Sequence, residues 1–243
     1  MKTIKVLGIS ASPRKNGNSE YLLDLALEEA KKTAPDQVET ELYSIANKKY
    51  SGCISCFYCV PNKGKCAFSE KDDTQEILDK WLAADAIIYS LPVYHMGIPA
   101  QLKAIIDRLG MYLMTSNDLK VTRTMKAVGC IAQGDCLFSG QEASMMQIIH
   151  HALVTGCVYV PGSSPECYIG AGGWTMRELD KDVIKRRSEE GRLEQQFTTV
   201  GAASIGKLCV QTVQIIHSGV AANQEQLKQE GPYDFLLKKM ELI

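Results

Sequence analysis

Four cysteines carry the densest chemistry in this chain: Cys53, Cys56, Cys59 and Cys66 follow one another as C-x2-C-x2-C-x6-C. Thiolates at two-residue spacers reach neighbouring corners of a compact inorganic cluster, and C-x2-C-x2-C is an opening that holds iron–sulfur clusters. A single zinc ion is more often held by two separated C-x2-C pairs, so the tandem triplet fits it less well. Gly52, Pro61 and Gly64 let the segment wrap around a cofactor. The competing reading is buried small hydrophobes or redox thiols. The other cysteines of the nine, Cys130, Cys136, Cys157, Cys167 and Cys209, are scattered. Cys130 and Cys157 lie in apolar runs and read as core. In a reducing cell a tight group points to metal or redox chemistry before disulfides.

Three further segments offer binding groups. Ser10-Ala11-Ser12-Pro13-Arg14-Lys15-Asn16-Gly17-Asn18-Ser19 follows an apolar strand run and ends at the start of a helix. Free amides and the dipole at a helix start favour an anion. The hydroxyls of Ser10, Ser12 and Ser19, the amide of Asn18 and the charge of Arg14 suit a phosphate monoester; an ordinary Ser-rich turn with an N-cap is the alternative. The loop lacks Gly-Lys-Ser/Thr and is not G-x-G-x-x-G, which argues against a triphosphate or dinucleotide fingerprint. Pro92-Val93-Tyr94-His95-Met96-Gly97 offers apolar and aromatic surface with open backbone for a flat ring, unless Tyr94 is core and His95 a surface residue. Gln133-Gly134-Asp135, running on to Gly140, follows the fourth apolar run. A phosphate site and a ring site at one edge together imply FMN. His95 is the candidate proton donor, with a spectator role as the alternative. His150 and His151 lie in a helix, and Asp72 and Asp73 read as helix caps rather than catalysts.

These loops need a scaffold that brings them to one edge. Continuous apolar runs at 3–9, 38–45, Ala86–Leu91, Met125–Ala132 and Cys157–Val160 read as buried parallel strands. Helical periodicity fills the intervals at about Ser19–Lys32, to Ala84 behind Asp72 and Asp73, Pro99–Leu109 and Gln141–Thr155. This alternation predicts an α/β doubly wound five-stranded parallel sheet, of flavodoxin-like order 2-1-3-4-5, with ligands at the carboxyl ends of the strands. Residues 1–218 form the expected domain, with the Cys-rich loop inserted at 50–70 and an exposed charged excursion at 170–197. A closing helix is expected over about Thr198–Ser218, and 219–243 is a tail that docks on a partner subunit.

Ser10–Ser19 and Pro92–Arg108 (P-V-Y-H-M-G-I-P-A-Q-L-K-A-I-I-D-R) resemble the phosphate loop and the flavin-ring loop of the NADPH-dependent FMN reductase and multimeric flavodoxin group, over roughly residues 3–160. The resemblance implies that Ser10, Ser12, Arg14, Asn18 and Ser19 hold the phosphate. Pro92, Val93, Tyr94, His95 and Met96 would line the isoalloxazine, with Gln133 and Gly134 closing on it. The cysteine motif, at the same place after the second strand, resembles the iron–sulfur flavoprotein branch. There Cys53, Cys56, Cys59 and Cys66 would hold a [4Fe–4S] cluster beside FMN, passing single electrons from a donor such as ferredoxin to FMN and on to a small acceptor. Family members are dimers or tetramers, so a homo-oligomer is expected. NAD(P)H as donor is implied by the family alone. The alternatives are a cluster-free NAD(P)H-dependent FMN or quinone reductase and, in another class, an electron carrier or thiol redox sensor.

Composition bounds the rest. The 243 residues have a formal net charge of −1, which gives no basic footprint for nucleic acid or anionic lipid. The N-terminus reads as a strand rather than a signal peptide, and no uninterrupted apolar run approaches membrane length. The expected compartment is the cytoplasm.

Overall fold

The structure, a computed structural model, describes residues 3–117 and 122–243. Strands β1 (Ile4–Ser10), β2 (Val38–Ser44), β3 (Ala86–Pro92), β4 (Ala127–Gly134) and β5 (Val158–Tyr159) form a parallel sheet in the order β2-β1-β3-β4-β5. This is the expected flavodoxin-like order. Helices α1 (Asn18–Thr33), α2 (Thr74–Ala83), α3 (Ala100–Ser116), α4 (Gln141–Val154), α5 (Val183–Glu189) and α6 (Leu193–Ala222) cover its two faces.

Period-two burial explains the layers. Ile4 and Val6 of β1 point to one face, where Leu22, Leu23 and Ala26 of α1 meet Ile205, Cys209 and Val213 of α6. Leu7 and Ile9 point to the other, among Ile77 and Trp81 of α2, Leu102 and Leu109 of α3, and Ile148 of α4. Helices on both faces make β3 and β4 buried along nearly their whole length, as their unbroken apolar runs predict. By length and composition α6 is the helix among the described residues that could cross a membrane; its inner stripe nevertheless packs on α1 and the sheet.

Three elements depart from expectation. Residues 170–197 do not form one exposed excursion. Ala171–Trp174 is a strand, β6, which pairs with Ile131–Gly134 of β4 while β5 pairs with Ala127 and Val128. The fifth strand position is therefore filled by two short pieces, with the chain leaving the sheet between them. Helix α3 runs seven residues beyond Leu109, and Pro99 stands at its N-cap instead of inside its first turn. The tail docks on its own chain. Helices α7 (Gln224–Leu227) and α8 (Asp234–Lys239) fold back so that Leu236 and Leu237 pack with Val220. Lys239 and His217 both reach Asp85 at the start of β3.

Candidate functional site

The carboxyl ends of β1, β3 and β4 define the site, and the register explains how. Ser10 of β1 lies beside Ser44 of β2 and Ser90 of β3. Ser10 and Ser90 are wholly buried, and neither Oγ has a hydrogen-bond partner. Such orphans in a packed interior cost free energy unless a ligand or water satisfies them.

The first loop turns from Ser10 into α1. Ser12 Oγ accepts the Arg14 amide at 3.1 Å. Glu20, in the first turn, accepts the Asn16 amide at 2.6 Å and the Ser44 hydroxyl at 2.6 Å, which ties the loop to the end of β2. The N-cap is Gly17, without a side-chain cap, and the first intrahelical bond runs from Tyr21 N–H to Gly17 O. The amides of the first helical turn, Asn18 to Glu20, precede that bond and face an outside acceptor. Asn18 differs from expectation: its Oδ1 accepts the Ile184 amide of α5 at 3.0 Å, so part of its side chain is a structural tie. Arg14 is exposed, with Nη1 donating to Leu179 O at 3.3 Å.

The second loop is a tight reversal. Tyr94 and Gly97 exchange backbone hydrogen bonds, and His95 and Met96 between them have φ of 45° and 66°. Positive φ at both central residues is the mark of a type I′ turn, which favours Asn-Gly. Holding His and Met there costs of order 1–3 kcal/mol each, and such strain concentrates at functional sites. The third loop locks onto it. Val93 N–H donates to Gln133 O at 2.8 Å, and Gly140, at φ 99°, passes so close to Met96 that a Cβ would lie 2.6 Å from its Cα. Buried Gln133 donates through Nε2 to Ser19 Oγ, while its Oε1 has no partner.

Ser12, Arg14, Asn18, Ser19, Pro92, Val93, Tyr94, Gln133 and Gly134 thus line one cleft, with Ser10 buried behind it. Met96 lines an adjoining apolar pocket of about 480 Å³ with Phe138, Tyr168, Trp174 and Phe197. His95 is exposed at the tip of the turn and lines neither. Sequence reasoning missed Asp135 as a lining residue, and also Thr175, Glu178 and Leu179, which β6 delivers to the cleft. It also missed Ser90. The glycine-rich start of β6 carries no strand signal, and one serine in an apolar run gives no local hint of its register partner.

The cysteines lie on the long loop between β2 and α2. Its ends are zipped together: Lys49 N–H donates to Asp73 Oδ2 at 2.7 Å and Ser51 N–H to Asp72 Oδ2 at 2.8 Å. Asp73 is the N-cap residue of α2 but makes no side-chain cap. Asp72 accepts the Thr74 amide and pairs with Arg108 of α3, side chains 2% and 4% exposed, at 2.6 Å. Between the zipped ends, Ser55, Phe57, Lys63 and Gly64 all have positive φ. The loop wraps so that Cys53, Cys56, Cys59 and Cys66 line one pocket, backed by Arg108, Met111 and Tyr112 of α3. Among the described residues no three His, Cys, Asp or Glu converge closely enough for a single metal ion. Cys130, Cys157, Cys167 and Cys209 are buried, and half-buried Cys136 accepts Arg177 Nε–H at 3.2 Å. His151 is core. Burial brings it down to about 4, and its Nε2 lies 3.1 Å from Tyr89 Oη.

Burial alone would raise the Asp72 carboxyl, but hydrogen bonds from Arg108 and from the Ser51 and Thr74 amides outweigh it and bring it down to about 2. At Asp85, burial is likewise outweighed, here by His217, Lys239 and the Lys5 amide. A depressed folded pKa gives stability that is complete above the ordinary carboxylate range and lost as pH falls through the folded value. Urea unfolding at about pH 3 against about pH 5 is expected to show a loss of about 1 kcal/mol from Asp72, with Asp85 adding to it. Equal stability at the two values would mean that neither pair forms.

Comparison with known proteins adds the family context. The model of the NADPH-dependent FMN reductase family matches residues 4–166. An iron–sulfur flavoprotein of Methanocaldococcus jannaschii is 37% identical over 172 residues, covering 70% of this chain and 82% of its own. Among solved structures, RosB, determined with a bound 8-demethyl-8-formylriboflavin-5′-phosphate intermediate, has a TM-score of 0.61 at 16% identity, covering 92% of this chain and 88% of its own. A WrbA-like flavodoxin of Agrobacterium tumefaciens has a TM-score of 0.51 at 15% identity, covering 87% and 99%.

Proposed function

The chain belongs to the iron–sulfur flavoprotein branch of the NADPH-dependent FMN reductase family, and from that premise we propose that it is a flavin-dependent oxidoreductase holding FMN and a [4Fe–4S] cluster. We assign it electron transfer from a donor such as ferredoxin or NAD(P)H to a small acceptor. The observation that carries this reading is that all four cysteines of the motif line one pocket at the same sheet edge as the serine-rich cleft. Bound FMN would supply one- or two-electron chemistry and the cluster one-electron chemistry.

Both groups fit the residues present. The unpaired buried Ser10 Oγ, Ser90 Oγ and Gln133 Oε1 are the signature of polar groups awaiting a ligand. In this reading the amides at the start of α1, with Ser10, Ser12, Asn18 and Ser19, hold the phosphate, and Arg14 screens its charge from outside. Pro92, Val93, Tyr94 and Met96, kept rigid by the type I′ turn, orient the ring system, and Gln133 and Gly134 close over it. His95, exposed at the tip of the same turn, is the candidate proton donor beside the ring. The adjoining apolar pocket is where a flat acceptor would sit. Cys53, Cys56, Cys59 and Cys66 are the cluster ligands.

We also propose a homo-oligomer. Leu193, Phe197 and Val200 form an exposed apolar stripe on α6, and Phe138 nearby is 89% exposed; patches of this kind are usually covered. The soluble fold of the family supports a cytoplasmic location. The test is iron and acid-labile sulfide per FMN on protein purified without oxygen. About four of each are expected for one [4Fe–4S] cluster. Flavin without iron would make the chain a cluster-free reductase and turn the cysteines into structural or redox thiols.

A further inference from the structure

The same pocket holds one group that no packing need explains. Arg108 is anchored in the interior through a single nitrogen: Nη1 donates to Asp72 Oδ1 at 2.8 Å, to Asp72 Oδ2 at 2.6 Å and to Thr74 Oγ1 at 2.7 Å. Its side chain is 4% exposed. Its Nε is buried and has no hydrogen-bond partner. A charged N–H donor left unsatisfied in the interior is costly, and this one belongs to a residue that lines the four-cysteine pocket. The cysteine loop is pressed against the same stretch of α3. At Gly64, φ 90°, a Cβ would lie 2.9 Å from the Tyr112 ring, so the loop closes directly over this helix.

We propose that Arg108 donates a charge-assisted hydrogen bond from Nε to a sulfur of the cluster held by Cys53, Cys56, Cys59 and Cys66, and so raises the cluster's reduction potential. This rests on the cluster reading above. The sign follows from the hydrogen bond: reduction makes the cluster more negative, and a fixed N–H donor to its sulfur stabilises that state more strongly. The buried pair with Asp72 has a matching purpose. Asp72 holds the guanidinium through Nη1, which leaves Nε as the unpartnered donor on a residue that lines the pocket.

Two measurements test this on anaerobically purified protein, after iron and sulfide have been counted on the wild type. In wild-type protein carrying 15N-labelled arginine, pulsed electron paramagnetic resonance of the reduced cluster should detect coupling to an arginine nitrogen; Arg108 is the arginine that lines the pocket. In Arg108→Lys, which keeps the charge and can still pair with Asp72 but lacks Nε–H, the reduction equilibrium should shift about tenfold toward the oxidised form, a fall of about 59 mV for one electron. An Asp72→Asn/Arg108→Gln double variant removes both buried charges together, and serves if the lysine variant does not fold; the same fall is expected. No arginine coupling in an iron-loaded wild type, or an unchanged potential in a variant with full iron, overturns the proposal. A purely structural role would lower iron content or stability and leave the potential of the remaining clusters where it was. Iron-free wild type would instead overturn the cluster reading itself, and the proposal with it.

Discussion

Cys56→Ala is expected to reduce bound iron and acid-labile sulfide from about four per chain to near zero. Cys56 is the middle cysteine of the triplet, lies on the exposed part of the loop and lines the pocket with the other three. A [4Fe–4S] cluster bound by four thiolates loses an iron ligand with the substitution. Because the side chain is exposed, the fold should change in stability by no more than about 0.5 kcal/mol. Loss of iron then reports a ligand role rather than unfolding. Cys209→Ala is the matching control. Cys209 is wholly buried against α1 and the sheet, so its removal should cost about 1 kcal/mol or more in denaturant unfolding while iron stays bound. Full iron in Cys56→Ala would show that the cluster is held by other ligands.

The second large effect is discrimination between FMN and riboflavin. These differ by a phosphate that carries nearly two negative charges at neutral pH. The cleft offers the start of α1, capped by Gly17 with no side chain competing for the first amides, and the hydroxyls of Ser12 and Ser19 beside it. Hydrogen bonds to a charged group are worth about 1.5–3 kcal/mol each, and the helix start adds about 0.3–2 kcal/mol. Arg14 is exposed and contributes at the low end of an ion pair, up to about 1 kcal/mol. Two such hydrogen bonds alone amount to about 3–6 kcal/mol, or roughly a hundred- to ten-thousandfold in Kd. Titration of apoprotein followed by quenching of flavin fluorescence should show that margin. Equal affinity for the two flavins would mean that the loop is an ordinary N-terminal turn and that the ring alone carries binding.

Local sequence determined a good deal. Unbroken apolar runs reported strands buried on two faces, because a parallel sheet under helices leaves no solvent side to alternate with. The spacing of Cys53, Cys56, Cys59 and Cys66 and the run from Ser10 to Ser19 made them candidates for that chemistry, because each motif is local in the sequence. Tertiary structure alone decided the rest. Strand β6, Ala-Gly-Gly-Trp, has almost no strand propensity and exists because β4 leaves an unpaired edge beyond β5. Ser90 comes to lie beside Ser10 with its hydroxyl unpaired only through strand register. The tie from Gln133 to Ser19 spans 114 positions, and the clasp of Asp72 by Arg108 spans 36. Each partner taken singly reads as an ordinary polar residue, since periodicity records how a segment is buried but not which distant side chain it will meet.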